Sequence, residues 1–202
     1  TINKLNESYS KEYTEAVDTV FRELEVHKVR LLTEDQLNDE QKDFLTQFFY
    51  DKLNGSVNPI WLNEIDDLST LEDNRIYLAV EKAEDDKKKK YAVVKVPDRV
   101  YGRWVKVPAS EGFDNIMYLD DVIRYCLPLV FLGFKESTYR AFSFKFTKDA
   151  EMEMDNDADF GTMEKIALGV SSRKKGEAVR VIYDQEMPKE LQKKLRERLN
   201  TK

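Results

Sequence analysis

"RIYLAVEKAEDDKKKKYAVVKVP", residues 75–97, holds two β-branched and aromatic runs, 75–82 and 90–97, with no apolar residue between Ala83 and Tyr91. Such runs favour extended backbone, and the charged connector "AEDDKKK" suits an exposed hairpin tip. Outward from this pair, "RWVKVP" (103–108) and "NIMYL" (115–119) read as two more strands. "TYRAFSFKF" (138–146) reads as a longer one, with Phe142, Phe144 and Phe146 on one face and Tyr139, Ala141, Ser143 and Lys145 on the other. "AVRVIYD" (178–184) completes a set of about six.

Apolar residues at Tyr13, Val17, Val20, Phe21, Leu24 and Leu31 recur every three or four positions and predict one helix over 9–32. A second helix is capped by Asn38 with Gln41 at the third position, striped by Phe44, Leu45, Phe48, Phe49 and Leu53, and stopped by Gly55. "VNPIWL" turns extended, because Asn58 precedes Pro59. Asp120 starts a helix that closes at Gly133, and Pro128 inside it should kink or shorten it. Another helix is expected from about Asp159 to Lys175, stopped by Gly176, and Pro188 opens a basic terminal helix. The order predicts an α+β fold: a mixed β-sheet of about six strands partly covered by helices and preceded by a helical pair. Residues 1–55 read as a helical lead-in and 56–202 as the main domain. The opening residue, Thr1, suggests a piece of a longer protein.

With 202 residues, 41% hydrophobic, the chain can bury a real core. Its 33 basic residues against 39 acidic ones argue against a nucleic-acid-coating protein. No apolar run approaches the ~18 residues of a membrane-spanning helix. The one cysteine, Cys126, sits in "VIRYCLPLVF" and reads as a buried, inert thiol, a usage that fits a reducing cytoplasm. The one histidine, His27, reads as a helix-surface or interface residue, and a histidine triad or metal cluster would need other ligand types that are not clustered in the sequence.

"AFSFKFTKDAEMEMDNDADFG", residues 141–161, looks most like a chemical site, with acids at every odd position from Asp149 to Asp159. Asp155, Asp157 and Asp159 fit the first ligands of a calcium loop, yet Phe160 stands where its glycine belongs and Ile166 where its last acid belongs. Asp159-Phe160-Gly161 lacks every kinase partner motif. Acids opening the next helix suit its positive end. Two readings stay open for the bases. Lys145 and Lys148, with Asp149, form a strand end for phosphate or a neighbouring domain, or they are surface charges. Arg173 and Lys174 in "RKKGEAVR" contact an anion, or they only complement a helix end. "DDKKKK" (85–90) reads as a solvated tip. On residues alone this is a module of an enzyme rather than an enzyme.

Five stretches in register, "RIYLAVE", "YAVVKVP" with "RWVKVP", "YLDDVIRYCL…VFLGF", "AFSFKFTKDAE" and "VRVIYDQEMPKELQKKLRERL", resemble the head (middle) domain of the bacterial polyphosphate kinase family. The likeness runs from roughly residue 57 to 199, and the helices at 9–53 look like the lead-in from that family's small N-terminal domain. The resemblance implies a full-length enzyme that reversibly transfers the terminal phosphate of ATP, with magnesium, to inorganic polyphosphate through a phosphohistidine in C-terminal domains. His27 matches no catalytic histidine of the family. The fragment is accordingly expected to be inactive alone, to hold no cofactor, and to serve homo-oligomer formation and packing against the missing N-terminal and C-terminal domains. Polyphosphate is a further partner, nucleic acid is not, and the location is cytoplasmic. Thr147-Lys148-Asp149-Ala150-Glu151 takes the place of a Thr-Arg-Asp-Ala-Asp/Glu segment. Lys148 keeps the charge of that arginine but not its planar fork. The alternative is a stand-alone interaction or anion-binding module using Lys145, Lys148, Arg173 and Lys174.

Overall fold

The computed structural model describes residues 2–83, 89–131, 137–148 and 178–201. The acidic run at 149–161, the helix expected at 159–175, Gly133, Asp149, Arg173 and Lys174 lie outside the described residues, as does most of the hairpin tip. The chain runs α1 (Ile2–Val26), β1 (Val29–Leu32), α2 (Asp39–Phe48), β2 (Pro59–Trp61), β3 (Tyr77–Ala83), β4 (Lys89–Lys95) and α3 (Asp98–Tyr101). It continues through β5 (Trp104–Ser110), β6 (Phe113–Tyr118), α4 (Leu119–Tyr125), α5 (Leu127–Val130), β7 (Thr138–Lys148), β8 (Ala178–Tyr183) and α6 (Lys189–Arg198). The α+β class expected from the sequence is the architecture observed, with the strands divided between two sheets. The chain forms two compact units, residues 1–54 with 98–126 and residues 55–97 with 127–202.

The first unit carries the mixed sheet, ordered β1-β6-β5, with β1 parallel and β5 antiparallel to β6. Here the sequence expectation needs a correction. The first helix stops at Val26, not at residue 32; Lys28 reverses the backbone at φ 61° and Val29–Leu32 becomes β1. "VRLL" fits a helical stripe and a strand equally well by period, and its ladder to Asp114–Met117 decides between them. α2 is capped as its sequence predicts. Asn38 Oδ1 accepts from the Gln41 N–H at 2.9 Å, and Gln41 Oε1 accepts from the Asn38 N–H at 3.1 Å. The buried Gln41 then uses its Nε2 to donate to the Pro108 carbonyl at 2.9 Å, tying α2 to β5. Gly55 ends this helical stretch in the left-handed region at φ 86°. Glu111 and Gly112, at φ 53° and 79°, close the tight β5–β6 turn.

The second unit is built on the antiparallel sheet β2-β4-β3-β7-β8. The opening hairpin is its centre, with β3 paired to β4 from Tyr77↔Lys95 to Ala83↔Lys89 and to β7 along its other edge. Residues 77–82 of β3 are all buried, which is why the run reads as continuous rather than alternating. Phe142, Phe144 and Phe146 of β7 are buried, while Lys145 between them is exposed. Tyr77 stacks on Phe144 and Phe146, with ring centroids at 5.5 and 5.8 Å. Leu191, Leu195 and Leu199, one helical face of α6 and its cap, join the same core cluster. Pro128 acts as expected: the helix stops at Tyr125 and only a single turn, Leu127–Val130, follows.

Replacing Asn38 by Ala removes one half of the cap and is expected to cost about 1 kcal/mol. Gln41→Ala removes the other half and leaves the half-buried Pro108 carbonyl with one donor fewer, so roughly 1–3 kcal/mol is expected. Urea unfolding with an unchanged m-value, and Gln41→Ala the less stable of the two variants, is the outcome to look for.

Candidate functional site

The sequence singled out the end of β7 as a basic platform, and the structure divides its two lysines. A register shift between Thr147 and Lys148 breaks the ladder to β8. Lys145 stays exposed, whereas Lys148 is buried with its ammonium donating to the Ser69 carbonyl. Burial lowers the pKa of Lys148, and the Asp73 and Asp67 charges partly restore it. Asp67 is set by the same loop: it accepts from the Ser69 N–H at 2.7 Å and the Ser69 hydroxyl at 2.5 Å, bonds that hold its carboxyl below the usual range. Lys148 is thus a strut under the 67–69 loop, a role that a point donor fills without a guanidinium fork. Lys145 and Lys148 are not brought together as one cationic face. Beside this loop Glu72 accepts from Lys95 at 2.7 Å and from Arg75 at 3.1 Å, and its pKa is lowered chiefly by the Lys95 bond.

In the first unit the motifs "RWV" and "YLDD" converge on a cluster that sequence reasoning did not assemble. The β5–β6 register sets Trp104 opposite Tyr118, and the Leu119 N–H donates to the Arg103 carbonyl at 3.0 Å. Trp104 and Tyr118 stack at 4.1 Å, Phe21 of α1 meets them edge-on at 6.2 and 6.5 Å, and the Arg103 guanidinium lies 4.7 Å over Tyr118. Arg103 also pairs with Asp120 at 2.8 Å, and Arg124 pairs with Asp121 within the first turns of α4. Both acids are buried. Burial pushes the Asp121 carboxyl up to about 6, against the pull of Arg124 and with a further push from Asp120. The cluster locks β5 and β6 to α4 and leaves Trp104 44% exposed as an aromatic rim. The signal for it was the adjacency of arginine and tryptophan in one strand and of two acids after the next; their pairing depends on hairpin register, which spacing alone does not fix.

His27 is exposed just beyond α1. Cys126 is fully buried, its Sγ 3.8 Å from the Leu45 carbonyl, and desolvation pushes its thiol up to about 12, so it is a packing group. Among the described residues no three His, Cys, Asp or Glu side chains converge as a metal site. No helix among those residues is long and apolar enough to cross a membrane.

Residues 40–202 match the family described as the polyphosphate kinase middle domain. The chain belongs to the polyphosphate kinase family. It is 33% identical over 192 residues to the polyphosphate kinase of Vibrio parahaemolyticus, covering 93% of this chain and 27% of that protein. To the polyphosphate kinase of Escherichia coli K12 it is 31% identical over 193 residues, covering 94% of this chain and 28% of that protein. The chain thus spans about a quarter of the length of these relatives. Its fold is similar to the crystal structure of polyphosphate kinase from Porphyromonas gingivalis, with a TM-score of 0.70 at 23% identity, over 94% of this chain and 26% of that one.

Two outcomes check these placements. Lys148→Ala is expected to destabilise by roughly 1–3 kcal/mol, because it strips a buried hydrogen bond from the Ser69 carbonyl. Lys145→Ala should stay within about 0.5 kcal/mol. Asp121 binds its proton more tightly folded than unfolded, so its contribution to stability is present below the unfolded value near 3.8 and is lost as pH rises through about 6. The parent chain should therefore gain stability relative to Asp121→Asn as pH falls from about 7 to about 4.5, read from urea midpoints across that range. Equal slopes for the two would contradict this reading.

Proposed function

We propose that this chain is the non-catalytic head domain of a polyphosphate kinase whose full-length form reversibly transfers the terminal phosphate of ATP to inorganic polyphosphate. Its part in that enzyme is subunit association and packing against the other domains of the same protein, in the cytoplasm. The observation that carries the contact role lies on α1. On a helical wheel of about 100° per residue, Tyr9, Val20, Tyr13, Leu24 and Val17 form one apolar sector, with Phe21 at its margin beyond Ser10. Leu24, Val17 and Phe21 are half-buried, while Tyr9, Tyr13 and Val20 are 70%, 72% and 54% exposed. An apolar sector with only half its width covered supports a contact with something further. The family relationship and the quarter-length span support the assignment of catalysis to the rest of the protein.

The 202-residue chain incubated with ATP and magnesium is expected to form no polyphosphate, and sustained chain growth would overturn the reading. In the full-length enzyme, Tyr13→Asp with Val20→Asp should shift the dimer toward monomer by at least about tenfold in dissociation constant, measured by light scattering over a dilution series. An unchanged dimer would remove α1 from the association surface.

A further inference from the structure

β8 stands at one end of the five-strand order, with β7 as its only strand neighbour among the described residues. The Asp184 N–H donates to the Ser143 carbonyl at 2.9 Å, and residues of an antiparallel strand turn their backbone groups to alternate sides. Arg180 and Ile182 therefore bond toward β7, and Val181 and Tyr183 direct N–H and C=O away from it. A hollow of about 390 Å³ lies beside Val179, Val181 and Tyr183, and is also lined by Arg196 of α6 and by Asn200 and Thr201 just beyond that helix. No described residue of β7 or β3 lines it, which places it on the unpaired side of β8. Val181 and Tyr183 point to the face of the core cluster, so side chains of a strand laid outside β8 would enter the hollow on that face.

Bare edges are commonly guarded by a lysine, a proline or a bulge, and "AVRVIY" has only the bulge, which leaves Val179 unpaired and the stretch from Arg180 to Tyr183 regular. Val179 and Ile182 are 62% and 52% exposed. The cations around this edge are unanswered: Lys145, Arg180 and Arg196 make no ion pair among the described residues. Arg196 meets only the uncharged Gln192 Oε1, at 3.5 Å. Lys145 lies opposite Ile182 and shares its face with Arg180, while Arg196 lies on the other face, at the hollow. The acids at the two ends of this region are engaged. Asp184 accepts from the Glu186 N–H at 3.0 Å, and Asp67 accepts from Ser69 and, at 3.4 Å, from the Asn200 amide.

We propose that the outer edge of β8 binds an extended, acidic segment of a partner protein, which adds to the sheet as a further strand. The outward groups of Val181 and Tyr183 supply the backbone hydrogen bonds. On one face of the segment an apolar side chain packs on Val181 and Tyr183 in the hollow, and an acidic one reaches Arg196. On the other face acidic side chains meet Arg180 and Lys145 beside Ile182. A small anion would use the cations and leave the main-chain groups idle, and a neutral strand would do the reverse; an acidic strand uses both. This edge belongs to the second unit, whereas the exposed sector of α1 belongs to the first.

The test titrates the isotope-labelled chain with a blocked nonapeptide of alternating aspartate and valine, followed by NMR. The expected result is saturable binding, with shift changes centred on residues 179–183 and weakening as salt is raised. Val181→Pro removes an outward N–H while leaving the ladder to β7 intact and should weaken binding about tenfold or more. The same peptide N-methylated at alternate residues should lose as much on the unmodified chain, which keeps the test valid if the proline variant fails to fold. Arg180→Glu with Arg196→Glu should abolish the preference for this peptide over one of alternating lysine and valine. Absence of binding at millimolar peptide, shift changes away from β8, undiminished binding of the N-methylated peptide, or equal binding of the lysine–valine peptide to the unmodified chain would each overturn the proposal. So would shifts at residues 179–183 that grow with protein concentration in the absence of peptide, which would assign the edge to a second copy of the chain.

Discussion

β3 is hydrogen-bonded along both edges and buried on both faces, and the second unit depends on that fourfold enclosure. A strand so placed has to satisfy every backbone group through its neighbours, which fixes β4 and β7 beside it. It has to fill both faces with apolar or neutralised side chains. Tyr77 meets Phe144 and Phe146 on the face that also takes Leu191 and Leu195 of α6 into its core cluster. Where the strand carries charge, the charge is held: the buried Glu81 lies 3.2 Å from Lys89 and 3.8 Å from Arg140, one partner from each neighbouring strand. Removing one partner from such a group leaves a desolvated carboxylate, and that cost keeps the three strands in register.

The buried and half-buried charges share one logic. Lys148, Arg75, Asp120 and Asp121 lie at element ends, where a turn or a helix start offers backbone groups that water reaches poorly. Each meets a group close in the fold, and in Asp121 the desolvation outweighs the nearby arginine. These residues belong to the motifs that carry the family likeness. In this chain they tie loop to strand and hairpin to helix.

Among the described residues, α1 leaves Tyr9, Tyr13 and Val20 exposed on one helical sector, suited to another helix or a flat apolar face. Beside β1 the charges are answered locally: Arg30 pairs with Glu25 and Glu111 and lies over the Phe113 ring.

The residue pattern by itself determined the α+β class, the hairpin at 75–97, the Phe142–Phe146 face, the Asn38–Gln41 cap and the break at Pro128, because each follows from local geometry within a few positions. It also made Cys126 legible as a packing residue, since its neighbours are apolar in any fold. Tertiary structure alone decided that "VRLL" is a strand, because its two periods are degenerate and only a partner more than eighty residues away, at Asp114–Met117, separates them. It alone divided the strands between two sheets and turned Lys148 inward while Lys145 stayed out, through a bulge that no side-chain pattern encodes. It alone brought Arg103 and Trp104 onto Tyr118 and Asp120. Contacts of that span depend on register and chain closure, which local propensity does not contain.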